Sequence, residues 1–154
     1  MYGYVFDTNS WLDVFGLAII PTKTYGSNGE ILNGTATVTK ADLGTGTATN
    51  ASSRSWARQN GLPTDDAGHI IGKQLGGSGG KQNIFPQDFH VNRGSFAQFE
   101  GQVADFVDLH GSSKITVEFE YDLGVSTTRP IAVIYHVEAP NGEKMEPQKF
   151  RNLH

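Results

Sequence analysis

The chain has 154 residues, 37 % apolar and 18 % charged, enough for one compact domain with its own core, too short for two and too apolar for a disordered tail. It has no cysteine, which excludes a disulfide framework, a thiolate metal site and a cysteine nucleophile, so any metal must be held by His, Asn, Asp or Glu. The net charge of −4 has the wrong sign for holding nucleic acid by bulk electrostatics, so a nuclease reading has to rest on local chemistry.

The first seventeen residues crowd Tyr4, Phe6, Trp11, Phe15 and Leu17 among the turn formers Asp7, Asn9, Ser10 and Gly16. They read as an apolar strap on the domain. There is no basic region followed by a cleavable apolar segment, as a signal peptide requires. The longest apolar stretch, Val14 to Pro21, is interrupted by Gly16 and falls far short of a membrane span. Glycine is abundant at 19 of 154 residues, about 12 % against a usual ~7 %, so the fold is expected to be rich in loops.

Thr35 to Lys40 alternates small and β-branched residues and predicts a strand. Residues 44 to 65, rich in Gly, Thr, Ser and Asn, predict a loop in which Asp65 and Asp66 are turn formers. His69-Ile70-Ile71 predicts the end of a strand, and Gly76 to Gly80 a flexible loop. No Lys-Ser/Thr follows those glycines, so they form no phosphate-binding P-loop. From Asn92 to His110 the residues Phe96, Phe99, Val103, Phe106 and Val107 form one apolar helical stripe, with Gly111 as its stop. Ile115, Val117, Phe119 and Tyr121 alternate with polar residues. With the run Pro130 to Glu138 they predict a hairpin across the loop Asp122 to Arg129. The layout is α+β.

The densest chemical signal lies between Asp65 and Glu100. Phosphodiester hydrolysis needs a base for the attacking water, which a neutral imidazole supplies near pH 7. It also needs a cation against the charge on the leaving oxygen, and Mg²⁺ takes only one or two oxygen ligands from the protein. On one continuous helix Asn92 and Glu100 fall within about 80° of each other and can address one ion. Asn92 is equally suited to cap a helix, His69 to a structural role, and Glu100 to a solvated face. His90, His110, His136 and His154 show no zinc spacing, and His90, two residues before Asn92, is the one a histidine-ligated variant of the site would use.

Gly68-His69, then Asn83-Ile84-Phe85-Pro86-Gln87, then Asn92-Arg93-Gly94-Ser95-Phe96 with Glu100 resemble, in that order, the DNA/RNA non-specific endonucleases of the ββα-metal (His-Me finger) superfamily. The resemblance spans residues 54 to 138 and implies a ββα-metal core with additional antiparallel strands. It also implies His69 as general base, Asn92 as direct ligand to Mg²⁺ or to Mn²⁺ in its place, Glu100 holding the metal's waters, and Asn83 positioning the active-site loop. Well-studied members carry Arg before the Gly-His pair, where this chain has Ala67. The phosphate contact then falls to Arg93 first, and after it to Arg58, Arg54 or Lys73. With Lys81 these residues bracket the motif and give a local basic cleft. The acidic residues Glu118, Glu120, Asp122, Glu138, Glu143 and Glu146 lie in the last third.

Tyr2-Gly3-Tyr4-Val5 and Asn9 to Leu17 resemble the end of the repeat-built shell of Rhs/YD-repeat polymorphic toxins. That shell closes with Asp-Pro-x-Gly-Leu, and here the element reads Asp13-Val14-Phe15-Gly16-Leu17. This divides the chain into residues 1–20, shell end or linker, and 21–154, a C-terminal nuclease toxin domain. It implies a secreted effector delivered into a target bacterial cell, acting in the cytoplasm on DNA or RNA and neutralised by a cognate immunity protein. The competing reading, which Ala67 and the acidic balance favour, is a catalytically inactive interaction module on the same fold.

Overall fold

A computed structural model describes residues 18 to 152. The N-terminal strap and the shell-like element lie outside the described residues, as does His154. No helix among the described residues is long and apolar enough to cross a membrane.

Among the described residues seven strands and three α-helices follow one another as β1 (Thr22–Tyr25), β2 (Ile31–Thr39), α1 (Ala51–Asn60), β3 (Asp66–His69), β4 (Ile84–Gln87), α2 (Phe89–Arg93), α3 (Ser95–His110), β5 (Ser112–Glu120), β6 (Ala132–Glu138) and β7 (Gln148–Arg151). Five of the strands form an antiparallel sheet in the order β1-β2-β5-β6-β7, while β3 and β4 make a separate antiparallel pair. The architecture is α+β, a ββα unit inserted between β2 and β5.

The alternation in β5 is borne out: Ser113, Ile115, Val117 and Phe119 are buried while Lys114, Glu118 and Glu120 face outward. The β5–β6 hairpin forms as expected, with Val117 opposite Tyr135. Helix α3 lays Phe96, Phe99, Val103 and Val107 on the inner face of the sheet, against Ile115, Val117, Tyr135, Val137 and Phe150. Phe96 and Phe99 meet the Tyr135 ring edge-on, with centroids 5.2 and 5.7 Å away. At about 25 cal/mol per Å² of apolar area, each such aromatic contributes on the order of 2–3 kcal/mol. Glu118, Glu120 and Glu138 project from the opposite face of the sheet, away from the ββα unit.

The β3–β4 pair is covered on both sides. Ala67 and Ile84 pack against Ala57 and Trp56 of α1, while Phe85 enters the main core and meets Phe119 edge-on at 5.6 Å.

Four expectations are corrected. The stretch 44 to 65 holds helix α1, nucleated by a reciprocal cap in which Asn50 Oδ1 accepts the Ser53 N–H and Ser53 Oγ accepts the Asn50 N–H. The predicted single helix from Asn92 breaks at Gly94, whose φ of −112° and ψ of −107° are non-helical, so Asn92 lies in the last turn of α2 and caps no helix. The glycine loop 76–80 is packed rather than flexible. A Cβ on Gly77 would stand 1.7 Å from the Ile71 carbonyl oxygen, and one on Gly79 1.9 Å from that of Ala48. Asp65 does brace a turn by accepting the Leu62 N–H, but it is also fully buried in a bidentate ion pair with Arg129 at 2.7 and 3.0 Å. Removing one partner of such a pair costs about 3–5 kcal/mol.

Candidate active site in the ββα unit

Strand β3 carries His69 at its C-terminal end, after Gly68. Gly68 lets the strand run close to β4, since a Cβ there would meet the Gln87 side-chain oxygen at 2.2 Å. The His69 ring Nε2 lies 3.0 Å from the Thr47 carbonyl oxygen. A carbonyl only accepts, so Nε2 carries the proton and Nδ1 keeps its lone pair. Burial lowers the His69 pKa, the Thr47 hydrogen bond works against that, and the charge of Lys73 lowers it further; the net shift is downward. The imidazole is therefore neutral and basic at neutral pH.

Three residues earlier on the same strand, Asp66 gathers three hydrogen bonds: Asn92 Nδ2 at 2.9 Å, Arg93 Nε at 2.9 Å and Arg93 Nη2 at 2.8 Å. Burial pushes the Asp66 carboxyl up. The hydrogen bonds from Arg93 and Asn92, with the charges of Arg93 and Arg58, outweigh that and hold it below its usual range. Because the Asn92 amide nitrogen is committed to Asp66, its oxygen Oδ1 faces no protein donor among the described residues. The turn-former role expected of Asp66 is thus replaced by a bond to the candidate metal ligand.

Glu100 stands on α3 against Gly72, where a Cβ would lie 2.0 Å from its Oε2. Burial pushes its carboxyl up to about 7. Its neighbour Tyr135 is buried, and burial together with the Glu100 charge raises that phenol well above its ordinary value. The Tyr135 hydroxyl donates to the Ile70 carbonyl, with the His69 carbonyl 3.4 Å away. Asn83, fully buried, closes the loop between the two strands. Its Oδ1 accepts the Ile71 N–H at 2.9 Å, and its Nδ2 donates to the carbonyls of Ile71 at 2.9 Å and Ser78 at 2.7 Å.

Along the segment 66–72, Asp66 bonds Asn92 and Arg93, His69 bonds the Thr47 carbonyl, and the Glu100 carboxyl lies against Gly72. Asn92 and Glu100 do not share one helix, and it is the hairpin, rather than helical periodicity, that brings each to this segment. Arg58, on α1, is near enough to Asp66 for its charge to be felt there, and Lys73 likewise acts on His69. Arg93 is exposed, lies over the Phe89 ring at 5.4 Å and already pairs with Asp66. Arg54 instead donates to the Thr49 carbonyl at 2.8 Å. Position 67 offers no place for a phosphate contact, because Ala67 is buried under α1. His90 is exposed and stacks on Phe89. Sequence reasoning missed Thr47 and Tyr135, and it read Asp66 only as a turn former.

No group of three or more His, Asp or Glu side chains among the described residues is placed to hold an ion. Two oxygen donors that could each serve a cation are the free Asn92 Oδ1 and the Glu100 carboxyl. These are hard oxygen donors, suited to an ion that keeps most of its water shell.

An antiparallel hairpin followed by a helix, with histidine on the first strand, is the core of a ββα-metal nuclease. Residues 33–139 match the family of DNA/RNA non-specific endonucleases, and the chain belongs to that family. Within it, the chain is 49 % identical over 151 residues to the probable deoxyribonuclease RhsA of Dickeya dadantii (strain 3937). The match covers 98 % of this chain and 10 % of RhsA, so the chain spans about a tenth of that relative's length. Among solved structures, the fold is similar to Sda1 nuclease with bound zinc ion (TM-score 0.64, 12 % identity, 84 % of this chain and 73 % of that one). It is also similar to NucA from Streptococcus agalactiae with magnesium ion bound (TM-score 0.59, 14 % identity, 86 % and 72 %).

Proposed function

We propose that this nuclease hydrolyses phosphodiester bonds of DNA and RNA without sequence preference, with Mg²⁺ or Mn²⁺ as its cation, and serves as an antibacterial toxin domain. The observation that carries the reading is the contact between His69 Nε2 and the Thr47 carbonyl oxygen. With Nε2 bound to the Thr47 carbonyl, the Nδ1 lone pair is left to take a proton from water, on the strand whose Asp66 orients Asn92.

In this reading Nδ1 of His69 takes the proton as the water oxygen attacks phosphorus and the bond to the leaving oxygen breaks. The cation, when bound, neutralises charge gathering on the leaving oxygen. Asn92 Oδ1 would hold the cation, Glu100 would accept hydrogen bonds from its waters, and Asn83 keeps the loop after His69 in place. Lys73 and Arg58 are the candidate phosphate contacts that the local charges favour, while Arg93 reaches substrate only with the part of its guanidinium that Asp66 leaves free. Recognition through phosphate suits a non-specific enzyme. The acidic face of the sheet lies away from the site, which supports a locally basic approach on an acidic chain.

Cleavage of plasmid DNA and of RNA, with and without EDTA, by wild type, His69→Ala and Asn92→Ala tests the chemistry. Metal-dependent cleavage that both substitutions abolish is expected, and equal activity in all three refutes it. The toxin role draws on the likeness to RhsA and, for a shell-to-toxin junction near residue 20, on the shell-like residues 2 to 17. It implies secretion, delivery into a target bacterium, action in its cytoplasm, and a protective immunity protein in the producing cell. Expression inside a bacterial host is expected to arrest growth and degrade nucleic acid, and coexpression of the immunity protein to restore growth.

A further inference from the structure

On α1, Trp56 stands two residues from Arg58 and so about 200° round the helix from it. There the surface opens into a cleft of about 580 Å³ between α1, the β1–β2 hairpin and the turn at residues 81–84. Tyr25, Trp56 and Tyr121 give it three aromatic rings, Tyr25 being 57 % exposed. Lys23 and Lys81 line it, and among the described residues no carboxylate does, in a chain whose net charge is −4. The Lys23 ammonium donates to the Gln82 carbonyl, which holds it at the wall of the cleft, and burial lowers its pKa. Glu30, whose charge Tyr121 feels, is buried and turned to the Asn28 N–H at 3.0 Å.

The cleft is joined to the active-site hairpin. Ile84 lines it and is the register partner of His69 across the β3–β4 pair. Lys81 and Gln82 precede Asn83, which bonds to both Ile70 and Ile71.

We propose that this cleft is a second nucleic-acid site, which takes an unpaired nucleotide flanking the scissile phosphate, its base against Tyr25 and Trp56 and its phosphate at Lys81 and Lys23. The inference rests on the nuclease reading above and adds a substrate preference to it. Aromatic faces and ammonium groups are the two elements of sequence-tolerant single-strand binding, because every base offers a π-face and every linkage a charge. In a duplex those faces are already stacked on neighbouring bases. The site therefore favours single-stranded or frayed DNA and RNA over intact duplex, and it needs no base-edge recognition, in keeping with a non-specific family.

The test uses Tyr25→Ala and Lys81→Ala, both at exposed positions, with thermal melts confirming that each folds. Binding of a fluorescent oligothymidylate and of a duplex of equal length is measured by anisotropy in EDTA. Trp56 emission is followed in a Trp11→Phe background, which leaves one indole. The expected result is quenching of Trp56 by the oligothymidylate and about tenfold weaker single-strand binding in each variant, with duplex binding unchanged. Unquenched Trp56 with equal affinities in wild type and both variants overturns the proposal. Metal-dependent cleavage by wild type is scored in parallel. Cleavage alongside unaltered affinities removes the cleft and leaves the nuclease reading standing, whereas absence of cleavage with every divalent metal removes both.

Discussion

Asp66 accepts the side-chain amide of Asn92 at 2.9 Å, and the same carboxylate is bridged by Arg93. The bond commits the amide nitrogen of Asn92 to the protein and leaves its oxygen without a protein donor among the described residues, open to the cation proposed above. Groups that orient a metal ligand in this way are typically worth 10–100-fold in affinity or activity. Asp66→Ala is expected to lower nuclease activity by about that factor, mainly by raising the Mg²⁺ concentration needed for half-maximal rate. A titration of cleavage rate against Mg²⁺ checks it. An unchanged half-saturation point would show that Asn92 holds its orientation unaided.

His69 is held neutral by burial and by Lys73, against the hydrogen bond to Thr47. Its pKa in the folded chain lies below the ordinary 6.5, so between the two values the unfolded chain binds more protons. Stability therefore rises with pH across that window and falls as pH drops through it. The rate should follow the neutral form, with its acid limb below pH 6.5. Lys73→Ala removes a positive charge and is expected to move that limb toward higher pH, read from the pH dependence of kcat/KM. A shift toward lower pH would contradict the electrostatic account.

Asn83→Ala removes three side-chain hydrogen bonds to the backbone of Ile71 and Ser78 in a fully buried loop. Each buried group left without a partner costs about 1–3 kcal/mol, so a loss of at least about 3 kcal/mol is expected in urea unfolding. Asn83→Asp keeps the acceptor for the Ile71 N–H and loses the donors. Like the alanine variant, it should be destabilised.

Where burial falls on one face only, the sequence announces the element. The alternation of β5 and the stripe Phe96, Phe99, Val103, Val107 are both consequences of a single apolar layer between sheet and helix. Helix α1 hides because it fully buries only Ser53 and Ala57 and carries a single large apolar side chain, the half-buried Trp56, although Asn50, Ser53 and the following Gly61 are legible end signals. Gly76 to Gly80 suggest mobility in sequence, yet several are there because backbone atoms pass where a side chain would stand. In the candidate site, His69, Asn83, Asn92 and Glu100 carry their own chemical identity. Thr47 does not, since it acts through a backbone carbonyl that any residue supplies, and Tyr135 reaches Ile70 from a strand 65 residues away.

Glu100 makes the sharpest linkage prediction. Burial pushes its carboxyl from 4.5 up to about 7. Between those values the folded chain holds a proton that the unfolded chain has lost, so stability declines as pH rises from 4.5 to 7. Above that window the buried carboxylate is fully charged, at a cost on the order of 3 kcal/mol. Glu100→Gln keeps the shape without the charge. In EDTA the variant should match wild type near pH 4 and exceed it in melting temperature at pH 8. A divalent cation offsets the charge, so adding Mg²⁺ at pH 8 should raise the melting temperature of wild type more than that of Glu100→Gln, while the variant loses nuclease activity. A Glu100→Gln chain less stable than wild type at pH 8 without metal would mean that the carboxylate is compensated by the protein itself, and that its place against Gly72 does not reserve it for a cation.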